Sequence, residues 1–237
     1  MKKYPNTCKT ILAFGGRTAF TRKNKENNGM CEKISTLIID MYGVIIKERT
    51  GNFVPYTFEH FDQSQHSRIQ KLLEEERLFS KAGLGELSSH EFLSLLGYDD
   101  AEYHMKNYIE NYLSLDNSFI PFAEKYHDLY DFVLLSTDVS EWSQYITEYY
   151  GLKKYFKHRI VSGDVHCRKP DRRIYRIALD QVKKHGNQCL FVDDNVNNIL
   201  AAKELGIHTV LFNRFREPYA GDSVLSFEEL DVFLQNH

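Results

Sequence analysis

The sequence predicts an α/β protein with a doubly wound parallel sheet and a helical segment inserted after its first strand. Two observations predict the sheet. Short apolar segments recur along the chain as strand candidates, and amphipathic segments, the helix candidates, lie between the later strand candidates. A third, the long interval between Asp40 and Ser136, predicts the insert. The strand candidates are almost continuously apolar, which is typical of strands covered on both faces. They are residues 35–40, 132–136, 159–162, 189–193 and 209–212.

Two helices are predicted between the last three strands. Residues 171–185 follow Pro170 and place Ile174 and Ala178 at helical spacing. Residues 195–205 place apolar side chains on one face and stop before Gly206, a residue type common just beyond helix ends. Strands that alternate with helices at this spacing indicate a doubly wound sheet.

The interval between the first two strands is much longer than one crossover helix requires. Its apolar periodicity predicts helices over 63–79, 88–96 and 100–113, with Gly83 and Gly85 in a loop. We therefore expect a core formed by residues 31–47 and 126–237. Residues 48–125 are expected to form a second, helical domain.

Composition excludes several classes of protein. The chain has 237 residues, 42% of them hydrophobic and 27% charged, with a net charge of -3, which argues against a nucleic-acid-binding protein. No apolar run reaches the roughly 18–20 residues of a membrane helix. The four cysteines form no CxxC pair, so the expected location is the cytoplasm. The sequence leaves the oligomeric state open.

Residues 1–30 are basic and lack the apolar core of a secretory signal. We interpret them as an N-terminal extension with little fixed structure. An organelle transit peptide and a translation start at Met30 are the alternatives.

Polar side chains stand at or just after the ends of the predicted strands. Asp40 ends the first strand, Ser136 the second, and Asp193 the fourth, with Asp194 next to it. Lys169 follows the third strand. Because ligands of parallel sheets bind outside the carboxyl ends of the strands, we expect these side chains to converge.

The residue types indicate phosphoryl transfer. Three carboxylates close together raise each other's pKa unless a cation intervenes, and oxygen ligands suit Mg²⁺. Lys169 can bind a phosphate group and Ser136 can donate a hydrogen bond to it. Asp40, on a turn with Gly43, is placed to act as a nucleophile that forms an acyl phosphate.

Four stretches together resemble the haloacid dehalogenase-like (HAD) hydrolase superfamily, whose core is Rossmann-like and whose capped branch carries an inserted helical cap domain. The stretches are residues 39–44 (IDMYGV), 134–137 (LLST), 168–171 (RKPD) and 191–195 (FVDDN).

The resemblance implies roles for individual residues. Asp40 would be the nucleophile, with Lys169 as its catalytic partner. Ser136, Thr137 and Lys169 would hold the phosphate. The implied magnesium ligands are Asp40, the main-chain carbonyl of Tyr42, Asp194 and Asp193. A small phosphorylated metabolite would be the substrate.

One position departs from the family pattern. Most phosphatases of the family carry a second Asp two residues after the nucleophile, where this chain has Tyr42. A phenol with a pKa near 10 is a poor base at neutral pH. Three hypotheses follow: a phosphatase that is slower or served by another group, a dehalogenase-like hydrolase that needs no metal, and a non-catalytic or regulatory binding protein. Because dehalogenases of the family replace the metal-binding acid, Asp193 and Asp194 favour the phosphatase.

Substrate contacts from the insert are harder to choose. The candidates are Arg49, Tyr56 and the loop 81–86. Cys167 lies near Lys169, but no obvious base accompanies it, so we interpret it as a bystander thiol.

Overall fold

A parallel sheet forms the centre of the protein. The computed structural model describes residues 33–236, so the predicted N-terminal extension 1–30 lies outside the described residues. Within that range the sheet has six strands in the order β3-β2-β1-β4-β5-β6, and every neighbouring pair is parallel. The strands are β1 (Thr36–Ile39), β2 (Asp131–Ser136), β3 (His158–Val161), β4 (Cys189–Asp193), β5 (His208–Phe212) and β6 (Ser223–Val224).

Helices connect these strands. Within residues 33–236, six α-helices lie between β1 and β2: α1 (Phe53–His60), α2 (Gln63–Glu74), α3 (Leu78–Gly83), α4 (Ser89–Leu96), α5 (Ala101–Tyr112) and α6 (Phe119–Tyr126). The α-helices after β2 are α7 (Ser140–Tyr149), α8 (Ser162–Val165), α9 (Arg172–Val182), α10 (Val196–Lys203) and α11 (Phe227–Gln235). No helix among residues 33–236 is long and apolar enough to cross a bilayer.

The continuous apolar strands are explained by burial on both faces of the sheet. In β1, Leu37 and Ile39 join one apolar cluster, and Ile38 joins the other. Helices α9 and α10 contribute to the Ile38 cluster. Helices α6, α7 and α11 contribute to the cluster on the opposite face, together with the insert. The predicted doubly wound α/β fold is therefore confirmed.

The helical segment between β1 and β2 differs from the prediction at two points. The expected helix 63–79 is two helices, because Arg77 adopts left-handed backbone (φ 56°) between α2 and α3. Gly83 ends α3 and does not lie in the following loop. Gly85 does lie there, at φ 71°. The expectation for Gly83 was wrong because glycine also occurs in the last turn of a short helix.

The segment that leaves the sheet after β1 is hydrogen-bonded to the segment that returns toward the sheet after α5. The amide of Lys47 donates to the carbonyl of Ser114 at 2.9 Å, and the amide of Asp116 donates to Ile45 at 2.8 Å. Helix α6 follows this return and packs against α11, where the rings of Phe119 and Phe227 lie 5.3 Å apart. We therefore propose 48–113 as the extent of the insert.

Arg214 ties this junction to the turn after β1. Its Nη2 donates to the carbonyl of Val44 at 3.0 Å and contacts Asp116 Oδ2 at 2.6 Å. Burial opposes ionisation of Asp116, but the hydrogen bonds from Arg214 and Ser118 outweigh it and lower its pKa. The turn that follows Asp40 is thus held by a charged side chain from beyond β5.

Candidate active site

The predicted polar side chains meet at the carboxyl edge of the sheet. Strands β1, β2 and β4 are neighbours in the sheet, so Asp40, Ser136 and Asp193 end adjacent strands. A cavity of about 380 Å³ opens there, and its walls include Asp40, Thr137, Lys169 and Asp194. A volume above roughly 300 Å³ is typical of small-molecule sites.

Lys169 links two of the three carboxylates. Its Nζ lies 2.6 Å from Asp40 Oδ1 and 2.7 Å from Asp193 Oδ2, and its side chain is 3% exposed. Burial alone would lower the pKa of Lys169, but the charges of Asp193 and Asp40 outweigh it and raise that pKa. Burial also raises the pKa of Asp40, an effect that the charge of Lys169 opposes. A protonated Lys169 is therefore the state that this site favours.

The two oxygens of Asp40 have different surroundings. Oδ1 accepts a hydrogen bond from the Met41 amide at 2.7 Å and contacts Lys169. Oδ2 has no hydrogen-bond partner among residues 33–236, and Asp40 lines the cavity. The carboxylate is thus fixed through one oxygen while the other is left for a reacting group.

Asp193 is fully buried and its oxygens are occupied within the protein. Oδ1 accepts from the Asn195 amide at 2.8 Å and from Asn198 Nδ2 at 3.0 Å, while Oδ2 contacts Lys169. Asp193 therefore orients Lys169 and adds negative charge beside Asp40.

Asp194 lines the cavity, and its carboxylate accepts fewer hydrogen bonds than that of Asp193. Its buried Oδ2 has no aligned hydrogen-bond donor, although Arg49 Nε lies 2.8 Å away. Burial, with help from the charge of Asp193, raises the pKa of Asp194 to about 6. Oxygen atoms of Asp40, Asp193 and Asp194 lie within 4.8 Å of one another, a spacing that fits ligands of one metal ion.

Gly43 makes room for Asp194. It adopts left-handed backbone (φ +76°), and a β-carbon there would stand 2.3 Å from Asp194 Oδ2. Only glycine combines this backbone conformation with the space that the carboxylate occupies.

Two hydroxyl groups at the end of β2 lack partners. Ser136 Oγ and Thr137 Oγ1 are both buried and make no hydrogen bond within the described chain. Burying an unpaired hydroxyl is unfavourable. Thr137 is among the residues that line the cavity, whereas Ser136 is not.

Position 42 is occupied by a partly buried phenol that lines the cavity. Burial, reinforced by the charge of Asp138, raises the pKa of Tyr42 well above its ordinary value, so the phenol stays neutral. Its hydroxyl donates a long hydrogen bond of 3.4 Å to Asp138 Oδ2. Tyr42 therefore cannot act as a base near neutral pH.

Asp138 is a cavity residue that the sequence motifs do not identify. It is 4% exposed and lines the cavity together with Asp40. The Val139 amide donates to its Oδ1 at 2.8 Å, which leaves Oδ2 toward Tyr42. Burial raises the pKa of Asp138 to about 8. The only available signal was its place two residues after Ser136, in a loop at the sheet edge.

The insert contributes part of the cavity wall. Of the predicted contacts, Arg49 and Gly83 line the cavity. Tyr56 does not: it is fully buried and bonds His104 Nδ1 at 2.7 Å, so that expectation was wrong. The remainder of loop 81–86 approaches the core, where Leu84 accepts a hydrogen bond from His166. Arg168, from the stretch 168–171, also lines the cavity. Phe79 and Tyr108 are further lining residues that sequence reasoning missed.

Cys167 carries no sign of reactivity. It is buried, and burial raises the pKa of its thiol. A protonated, buried thiol agrees with its interpretation as a bystander.

Comparison with known proteins identifies the class to which this fold and site belong. Residues 34–206 match the family of haloacid dehalogenase-like hydrolases. Because the match covers most of the chain, the protein belongs to this family.

One curated relative is similar over a short segment. Drimenol cyclase drtB of Aspergillus calidoustus is 40% identical over 53 residues, which are 22% of this chain and 10% of that protein. The chain thus spans about a tenth of the length of that relative.

Solved structures share the fold at low identity. A HAD family enzyme of Bacteroides thetaiotaomicron, bt-2542, has a TM-score of 0.66 at 18% identity over 78% of this chain and 100% of that chain, and it has also been solved with magnesium and inorganic phosphate. A HAD phosphatase from Thermococcus onnurineus has a TM-score of 0.64 at 19% identity, over 85% of this chain and 98% of that chain. A 2-haloacid dehalogenase from Pseudomonas syringae pv. Tomato DC3000 has a TM-score of 0.62 at 16% identity, over 86% of this chain and 99% of that chain.

The close approach at Gly43 generates a prediction about stability. Gly43→Ala adds a methyl group that collides with Asp194, whereas Gly151→Ala adds one at similar backbone (φ +65°) with open space around it. Both changes place a β-carbon on left-handed backbone, at a cost of about 1–2 kcal/mol. We expect Gly43→Ala to lower the free energy of unfolding by about 1–3 kcal/mol more than Gly151→Ala does. Urea unfolding at pH 7 measures the difference, and equal losses would contradict the predicted collision.

Proposed function

We propose that the protein is a magnesium-dependent phosphoric monoester hydrolase that acts on a small phosphorylated metabolite through an aspartyl-phosphate on Asp40. The observation that carries the proposal is the state of the Asp40 carboxylate. One oxygen is held by Lys169 and the Met41 amide, and the other is unpartnered in a cavity shared with Asp194. An oriented carboxylate of this kind is suited to nucleophilic attack.

In the proposed reaction, Asp40 Oδ2 attacks the phosphorus of the ester. The bond from Oδ2 to phosphorus forms, the bond from phosphorus to the alcohol oxygen breaks, and the alcohol leaves with a proton. Water then attacks the phosphorus of the acyl phosphate and gives a proton back to the group that protonated the alcohol. The bond from phosphorus to Oδ2 breaks, which releases inorganic phosphate and regenerates the Asp40 carboxylate. The hydroxyls of Ser136 and Thr137 donate to phosphoryl oxygens, which would satisfy two otherwise unpaired buried groups.

The donor set fits a magnesium ion. Asp40, Asp194 and the carbonyl of Tyr42 are the proposed ligands, and all are hard oxygen donors. Asp193 lies beside these proposed ligands. Its contacts with Lys169 and Asn198 support a role in orienting the Lys169 side chain. A bound ion supplies positive charge that offsets the charge of the phosphoryl group.

Asp138 is the proposed proton donor to the leaving alcohol. The carboxyl groups among the cavity-lining residues are those of Asp40, Asp138 and Asp194, and the first and last already have roles. The hydrogen bond from Tyr42 places the Asp138 carboxyl beside the position where most family phosphatases have their second Asp. A proton donor from the loop after β2 would therefore replace the one missing at position 42.

Dehalogenation receives less support from the site. Carbon–halogen chemistry needs no metal, yet the cavity edge gathers Asp40, Asp193 and Asp194 within 4.8 Å. Without a cation besides Lys169 and Arg49, this cluster of carboxylates would be electrostatically unfavourable.

The first prediction concerns Asp40 and the metal. Asp40→Asn should lower kcat for phosphate monoesters by a factor on the order of 10³ or more, because the amide is a poor nucleophile. Chelation by EDTA should abolish wild-type turnover, and added Mg²⁺ should restore it. A phosphate-release assay on a panel of metabolites measures both effects, with circular dichroism as the check on folding.

Asp128→Asn is the matched control, since the Asp128 side chain is 88% exposed and is not among the residues that line the cavity. It should leave kcat unchanged. Halide release without metal would support the dehalogenase instead. The absence of turnover on every phosphate and halide tested would support the binding protein.

The second prediction concerns Asp138. Asp138→Asn should lower kcat/KM for alkyl phosphates by roughly 100-fold, because their alcohols need a proton on departure. The same change should alter kcat/KM for 4-nitrophenyl phosphate by less than roughly threefold, since nitrophenolate leaves without one. Asp128→Asn, a change of the same kind at an exposed carboxyl, is the control and should preserve both rates.

An Asp introduced at position 42 should replace the proton donor that Asp138→Asn removes. Tyr42→Asp in the Asp138→Asn background should recover part of the alkyl phosphate rate. Equal losses for both classes of substrate after Asp138→Asn would refute the assignment of the proton donor.

A further inference from the structure

A cluster of aromatic rings from the insert and α7 includes one ring that is exposed. Phe53, Phe92, Tyr108 and Trp142 are all buried, whereas Phe79 is 39% exposed. Phe79 also lines the cavity at the carboxyl edge of the sheet. Its exposed area therefore faces the space where a substrate would lie.

The neighbouring rings hold Phe79 in place. The ring of Phe53 is stacked on it at 5.6 Å with an interplanar angle of 11°. The rings of Phe92 and Trp142 lie 5.6 Å and 5.8 Å from it. Because interiors are close-packed, these buried rings leave Phe79 no room to turn inward. One side of the Phe79 ring is therefore packed against buried aromatic rings.

The other wall residues extend this apolar area. Tyr108, whose ring is edge-on to Phe53 at 5.4 Å, and Val139 line the same cavity. The side chains that face the phosphate position are charged or carry hydroxyl groups, so the cavity combines a polar and an apolar part. Covering exposed aromatic area with a ligand is favourable, at about 25 cal/mol per Å² of apolar surface.

We infer that the substrate carries a planar apolar ring next to its phosphate ester, and that Phe79 determines this specificity by stacking on the ring. The inference rests on the proposed phosphatase function and names its substrate class. Two aromatic rings at offset-stacked distance attract each other beyond the effect of buried area. An aliphatic polyol phosphate would leave Phe79 exposed to water and gain nothing from it.

The test compares two esters of primary alcohols, benzyl phosphate and glycerol 3-phosphate, so that departure of the alcohol is equally demanding. In the wild-type protein KM should be lower for benzyl phosphate. Phe79→Ala should raise that KM roughly tenfold, with kcat and the KM for glycerol 3-phosphate changed by less than about twofold. Phe79→Tyr should retain the wild-type preference, and Phe79→Leu should give an intermediate KM.

Tyr103→Ala is the matched control, because Tyr103 is an exposed aromatic residue of the insert (57% exposed) and is not a lining residue of the cavity. It should change neither KM. A wild-type protein that binds glycerol 3-phosphate as well as benzyl phosphate would overturn the inference while leaving the phosphatase proposal intact. Equal changes of both KM values in Phe79→Ala would do the same.

A binding measurement separates this inference from the proposed function. If neither ester is hydrolysed, calorimetric titration with benzylphosphonate, which cannot be hydrolysed, still tests the ring contact. Roughly tenfold weaker binding to Phe79→Ala than to the wild-type protein would support stacking. Equal affinity, or no binding to either protein, would overturn it.

Discussion

The site depends on the buried ammonium group of Lys169 between Asp40 and Asp193. Two carboxylates this deeply buried would repel each other and resist ionisation without a cation. Lys169 contacts both at hydrogen-bonding distance, and Asn198 and the Asn195 amide complete the surroundings of Asp193. This arrangement occupies Oδ1 of Asp40 and leaves Oδ2 without a partner among residues 33–236. The proposed chemistry follows from that asymmetry.

The sheet topology makes this contact possible, and the sequence predicts the topology well. Each apolar run became a strand with bounds within one residue of those expected, because strands covered on both faces are apolar along most of their length. Once strands are parallel, residues that end neighbouring strands must lie at one edge. Asp40, Asp193 and Lys169 could therefore be placed together before any coordinates. Their catalytic and binding roles remain proposals.

The parts that could not be predicted depend on packing between segments distant in sequence. Asp138 faces the cavity because the loop after β2 brings it against Tyr42. Arg214 reaches the turn after β1 from beyond β5. The exposure of Phe79 follows from its packing against Phe53, Phe92 and Trp142, which no periodicity reveals. Strand β6 is only two residues long and carries no recognisable pattern.

The central claim is that Asp40 becomes phosphorylated during turnover. The most direct measurement is to mix the protein with a hydrolysed monoester and Mg²⁺, quench with acid, reduce with borohydride and analyse the peptides by mass spectrometry. An acyl phosphate on Asp40 is reduced to homoserine, so the account predicts homoserine at position 40, dependent on both substrate and Mg²⁺. Unmodified Asp40 in a protein that is actively releasing phosphate would contradict it.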